Sequence, residues 1–201
     1  MSCEVNTSNN SNVSTSQAVA ALMALAGQCD AGAEDHGKRV AVYSRVIGQR
    51  MGLSDYDLEN LVNAAALHDI GKITISQSIL NKMGRLTVEE FEIMKIHSTV
   101  ALNVLAKVDS LRPASSLIKH HHERYDGKGY PEGLVGDAIP LGARIISVAE
   151  TFDILISGAP WKEKCDVNDA LSEIIRCSGT QFDPLVVEAF RASIGNQELN
   201  I

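Results

Sequence analysis

The sequence predicts an all-α domain. Apolar residues recur at helical spacing in one segment after another, and helix-start signals precede several of those segments. No alternating run of useful length and no hairpin signature interrupts them. With 201 residues, 45% of them hydrophobic, the chain is long enough for one core. A bundle of about seven to nine helices is expected.

The first sixteen residues contain eleven Ser, Thr or Asn and no Lys or Arg. They read as a disordered polar tail over 1–16, leaving one domain over 17–201. Val19, Leu22, Met23 and Leu25 open a first helix that Gly27 to Gly32 closes. A second runs from His36 to Met51 with Val40, Val42, Tyr43, Val46 and Ile47 as its apolar face, and Gly52 ends it. Ser54 caps a third, with Asp57 in a capping-box position. Leu58, Leu61, Val62, Ala65 and Ala66 form its inner side, and it reaches His68 and Asp69, where Gly71 is expected to stop it.

Ile73 to Leu86 reads as irregular, with one short helix near Ser78. Thr87 and Glu90 start a fourth helix that should run through His97 to about Lys107. A fifth spans Arg112 to His122. The turn-rich stretch from Asp126 to Gly136 reads as a long loop within the domain. Pro140 suits a helix start. Leu141 to Ser157 should form a buried helix, and two more follow, over Val167 to Cys177 and Pro184 to Ser193.

Composition excludes several function classes. The net charge is −7 and the chain has only nine aromatic residues. Long nucleic acid needs a basic footprint or a stacking platform, and neither is present; a large membrane-surface patch is disfavoured likewise. Cys3, Cys29, Cys165 and Cys177 form no CxxC pair and suggest free thiols in a reducing compartment. The start of the chain lacks a signal-peptide pattern, and the longest clean apolar run, Ala18 to Ala26, is nine residues. A cytoplasmic protein without a membrane span is expected.

The chemistry lies in the histidines. His36 starts a helix, His68-Asp69 ends one, His97 lies on the next, and His121-His122-Glu123 ends another. Glu150 and Asp153 stand on an otherwise apolar helix. Imidazole nitrogens suit first-row transition metals, and a carboxylate can bridge two ions. A single such histidine is usually a satisfied core residue, but four helices each placing one at an end or on an apolar face are hard to explain by packing.

Four stretches carry a family resemblance: HDIGK (His68 to Lys72), ILNKMGRLTVEEFEIMKIHS (Ile79 to Ser98), HHERYDGKGYPEGLVGDAIPLGARI (His121 to Ile145) and FDP (Phe182 to Pro184). With His36, these stretches resemble the HD-GYP domain of the HD phosphohydrolase superfamily over roughly residues 30 to 190. The resemblance implies an HD-type bundle with a long GYP loop and a metal-dependent phosphodiesterase that opens cyclic di-GMP to pGpG and possibly on to GMP. It implies His36, His68 and Asp69 as ligands of one ion and His97, His121 and His122 as ligands of a second, with Asp69 bridging and Glu150 completing the first site. Fe or Mn is the expected metal, with Zn, Co or Ni as alternatives.

Asp69 and Lys72 are the implied catalytic residues, Lys72 facing a phosphate oxygen. Lys72, Tyr130, Arg144, Trp161 and Lys162 are candidate substrate contacts. Arg144 has an alternative structural role, pairing with a carboxylate such as Asp153, and His120 is expected to be no ligand. A GGDEF-domain signalling protein is an implied partner.

The chain departs from the family pattern in three places. Gly32 stands where some members carry a carboxylate for a third metal, so two ions are expected. Glu150 replaces the usual Asp, one methylene shorter. Ala159 stands where an arginine usually helps bind the dinucleotide. These departures keep open two alternatives, another cyclic dinucleotide as substrate and a weakly active or inactive binding module.

Overall fold

The computed structural model describes residues 7–195 and is helical, with no β-strand among them. Helix α1 (Thr7–Cys29) takes in residues 7–16, and residues 1–6 of the expected tail lie outside the described residues. Thr15, Val19 and Met23 are buried one helical turn apart, which extends the inner stripe further back than the apolar sequence showed.

Helices α2 (Ala33–Arg50), α3 (Asp55–Leu67) and α7 (Leu141–Ser157) form the centre of the bundle. Gly37 and Gly48 let α2 lie close to α3: a Cβ on Gly37 would stand 2.6 Å from the Ala66 carbonyl oxygen. Val40, Ile47, Leu61, Ile145 and Phe152 are fully buried between these helices. Phe152 packs edge-on against Tyr43 and Phe190, the latter from α9 (Pro184–Gly195). Val42, expected on the inner face of α2, is 55% exposed, because two residues beyond Val40 the helix has turned to its far side.

The expected caps form. The Ser54 hydroxyl accepts from the Asp57 amide, and Thr87 and Glu90 make a reciprocal capping box. Two expected helices are broken, however. The one starting at Thr87 splits at Ile96 into α4 (Val88–Lys95) and α5 (His97–Leu105). The one expected over 112–122 is a 3-10 segment (Asp109–Ala114) followed by α6 (Ser115–His120).

Gly71 does not stop α3. That helix ends at Leu67, and Gly71 lies in a 3-10 turn (Ile70–Thr74) without the left-handed backbone of a glycine cap. Its role is close approach to α5. The single turn Gln77–Leu80 matches the short helix expected near Ser78, and α8 (Val167–Arg176) follows α7. No helix among the described residues is long and apolar enough to cross a membrane.

Candidate metal centre and substrate cleft

Five histidines from four places in the bundle meet around Asp69. His68 and Asp69 follow the end of α3, His97 starts α5, and His121 and His122 follow the end of α6. His36 comes from the first turn of α2. Among the described residues two groups place ligand atoms close enough to hold an ion: Asp69 with His97, His121 and His122, and Asp69 with His36 and His68. These are the two implied ligand sets, and Asp69 is common to both.

The hydrogen bonds fix which ring nitrogen faces inward. His68 Nδ1 lies 2.7 Å from the Ala65 carbonyl, His97 Nδ1 2.6 Å from that of Met94, and His121 Nδ1 2.6 Å from that of Ile118. A carbonyl only accepts, so each Nδ1 carries the proton and each Nε2 keeps a bare lone pair. Burial drives the pKa of His68 to about 4, of His97 to about 4 and of His121 to about 3, so these rings are neutral at neutral pH. Burial likewise holds His122 well below its ordinary value.

The inward atoms then lack partners. His68 Nε2 and Asp69 Oδ1 are buried with no hydrogen bond. His97 Nε2 faces His121 Nε2 at 3.4 Å, two lone pairs with no proton between them, and Asp69 Oδ1 is 3.6 Å from the first of these. Uncompensated buried acceptors are costly, and a divalent cation is what such a donor set accommodates. Burial opposes ionisation of Asp69, yet the Lys72 ammonium at 2.7 Å and the surrounding imidazoles hold its pKa well below the carboxylate range.

Above this centre opens a cleft of about 1150 Å³. Lys72, Tyr130 and Trp161 line it. Tyr130 lies against the His122 ring, with centroids 4.8 Å apart, and meets Phe91 edge-on at 6.1 Å. Trp161 is 58% exposed at the rim, and Ala159 lines the same region without a polar side chain.

Three expected contacts are corrected. Arg144 does not line the cleft: its Nη1 donates to Asp137 at 2.6 Å and to buried Asp183 at 2.5 Å, which makes it a structural tie to α9. Its expected partner Asp153 is engaged by His36 and Arg39. Lys162 is exposed and lies outside the cleft lining, in a backbone turn that pairs it with Ala159. Glu150 lines the cleft but belongs to neither ligand group; its Oε2 is 3.9 Å from His122 Nδ1, on the side of the second ion position. Burial among these groups, with Asp69 nearby, raises its pKa to about 7. His120 is engaged elsewhere, by the Ser116 carbonyl and Glu132.

Sequence reasoning missed Asp30 and gave Glu123 no role. Asp30 lines the cleft two residues before Gly32, and burial raises its pKa despite the opposing charge of Lys72. Glu123 is 3% exposed and accepts from the amides of Glu132, Gly133 and Leu134 at 2.7, 3.0 and 3.1 Å. It therefore fixes the loop that presents Tyr130. Glu123→Gln replaces one acceptor oxygen with a donor facing amides. A stability loss of about 2–3 kcal/mol is expected, read as a fall in Tm of about 5–10 °C. An unchanged Tm would show that the loop is held by other contacts.

A family model described as "HD domain" matches residues 10–186. The cyclic di-GMP phosphodiesterase response regulator RpfG of Xanthomonas campestris pv. campestris is 40% identical over 162 residues, 80% of this chain and 43% of that protein. A cyclic di-GMP phosphodiesterase of Thermotoga maritima is 43% identical over 157 residues, 77% of this chain and 43% of the relative. The chain thus spans less than half the length of these relatives. Among solved structures, Bd1817, an HDG"Y"P protein from Bdellovibrio bacteriovorus, superposes with a TM-score of 0.69 at 16% identity, over 93% of this chain and 64% of that one.

Proposed function

This chain belongs to the HD domain family, and on that premise we propose that it is a metal-dependent phosphodiesterase of cyclic dinucleotides, acting on cyclic di-GMP in the cytoplasm. The observation that carries the proposal is the meeting of bare imidazole nitrogens with Asp69, in two groups sharing that one carboxylate, at the floor of an open cleft. His36, His68 and Asp69 would hold one ion, and His97, His121, His122 and Asp69 a second. Fe or Mn fits this mixed nitrogen and oxygen set. Two divalent ions held there would supply an activated water and would neutralise charge on a phosphodiester.

The protein groups have distinct tasks. Asp69 shares its oxygens between the two ligand sets. Lys72 holds Asp69 Oδ2 at 2.7 Å and lines the cleft, so its remaining N–H donors can reach a non-bridging phosphate oxygen where negative charge grows. The Tyr130 and Trp161 rings offer apolar faces for bases. Attack of water on phosphorus, in line with the ribose 3′-oxygen, would form one P–O bond as the bond to the 3′-oxygen breaks; that oxygen takes a proton of the water and leaves as the 3′-hydroxyl of pGpG. Docking of a GGDEF-domain partner is a further expectation that rests on the family resemblance.

The test is hydrolysis of cyclic di-GMP by chelator-treated chain before and after addition of Mn²⁺ or Fe²⁺. Product should form only with metal. A chain that holds two ions and releases no product would overturn the proposal. Ala159 favours a second reading, since alanine at that position of the cleft supplies no guanidinium fork of its own for guanine or phosphate. Turnover of other cyclic dinucleotides measured beside cyclic di-GMP decides between them.

A further inference from the structure

The inward-facing histidines do not share one means of support. His68, His97 and His121 each follow the last turn of a helix, and each gives its Nδ1 proton to a carbonyl three residues back. The last carbonyls of a helix have no amide partner within it, so these acceptors are available locally. His36 lies at the opposite kind of helix end. It stands in the first turn of α2, its own amide bonded to the Gly32 carbonyl. The unpartnered backbone groups there are N–H donors, and the carbonyls are committed to the helix. An imidazole at that end finds no backbone acceptor in its own helix and needs one from another element.

Asp153 of α7 supplies it. Its Oδ2 is 2.6 Å from His36 Nδ1, and the carboxylate side chain is 1% exposed. Arg39, one turn along α2 from His36, closes on the same carboxylate with two donors, Nε to Oδ1 at 2.6 Å and Nη2 to Oδ2 at 2.9 Å. The fork leaves the carboxylate one orientation and keeps it charged. The His36 proton is thereby fixed on Nδ1, and Nε2 turns toward Asp69 Oδ2 at 4.0 Å.

We infer that Arg39 and Asp153 form a positioning pair that makes His36 a metal ligand, so one ion position depends on a carboxylate–guanidinium pair on which the other, with His97 and His121 held by backbone carbonyls, does not draw. Only the assignment of two ion positions rests on the proposed function. A carboxylate acceptor also makes the ring a stronger donor than a carbonyl does. Disturbing the pair should thus weaken one ion position and spare the other.

The test uses the full chain and no substrate. Mn²⁺ is titrated into metal-free protein, unaltered and carrying Asp153→Asn, Arg39→Ala or Arg39→Lys. The expected result is a loss of about 10–100-fold in affinity at one of two positions for Asp153→Asn and Arg39→Ala, partial recovery with Arg39→Lys, and little change at the other. His36→Ala should weaken the same position. Ring ¹⁵N shifts of His36, recorded on the metal-free protein in alkaline buffer, read the tautomer directly. They should report Nδ1–H in the unaltered chain and a mixture in Asp153→Asn.

Equal weakening of both positions, or affinity and tautomer both unchanged, overturns the inference. Failure of the unaltered chain to bind any ion overturns the proposed function instead, and the tautomer comparison still decides whether Asp153 sets the ring.

Discussion

Replacing Gly71 by alanine will lower the melting temperature by about 8–16 °C, the shift expected for a loss of about 4 kcal/mol in a chain of this size. The cause is steric. A Cβ at this position would lie 1.9 Å from the His97 carbonyl oxygen, 2.7 Å from its carbon and 3.0 Å from the His97 Cα. All three atoms are backbone, so no side chain can swing aside. The 3-10 turn Ile70–Thr74 would have to move away from α5, and those two segments carry Asp69 at one border and His97 at the other. Their 3.6 Å approach between Asp69 Oδ1 and His97 Nε2 would open with them. Metal affinity should therefore fall together with stability.

Gly84→Ala is the comparison. Gly84 has φ of +92° and nothing within 4 Å of a built Cβ, so alanine there meets only backbone strain of about 1–2 kcal/mol. Thermal unfolding of both variants, followed by circular dichroism, checks the point. A Gly71→Ala shift no larger than that of Gly84→Ala would refute the close-packing account.

Gly71 also marks how far the sequence could be read. A glycine after an apolar helix is an ordinary stop signal, and only the neighbour 26 residues on shows that this one serves contact between segments. Helix starts at Ser54 and Thr87 were legible because a cap is made within four residues. The break at Ile96 was not, because the apolar pattern continues through it while the chain turns to set His97 into the core. The clustered histidines were legible from their places at helix ends and from the motif resemblance. Their supports were not. Arg39 and Asp153 meet across 114 residues, and Arg144, a plausible partner for Asp153 by sequence, is committed to Asp137 and Asp183. Glu150 stands outside both close ligand groups, with its Oε2 3.9 Å from His122 Nδ1, a placement that only the fold shows.

Asp69→Asn is expected to remove both ion positions at once while leaving the fold in place. Asp69 is the only residue common to the two ligand groups. Its Oδ1 lies 3.6 Å from His97 Nε2, and its Oδ2 lies 3.5 Å from His68 Nε2 and 4.0 Å from His36 Nε2. Asparagine keeps the shape but gives up the charge and one acceptor, and its new N–H donors can satisfy the buried lone pairs that otherwise have no partner. The substitution thus relieves the metal-free protein of unpaired acceptors as it removes the carboxylate that would draw two cations together. Against that gain, Lys72 loses the carboxylate that holds its ammonium at 2.7 Å. The melting temperature should consequently move far less than in Gly71→Ala. Turnover of cyclic di-GMP should fall by about 10³-fold or more, since several kcal/mol of charge stabilisation are lost and each 1.36 kcal/mol is tenfold in rate. His36→Ala should deplete a single position, so metal content per chain separates a shared ligand from an unshared one. If Asp69→Asn retained two ions per chain and turned over within tenfold of the unaltered protein, the bridging role of this carboxylate would be wrong.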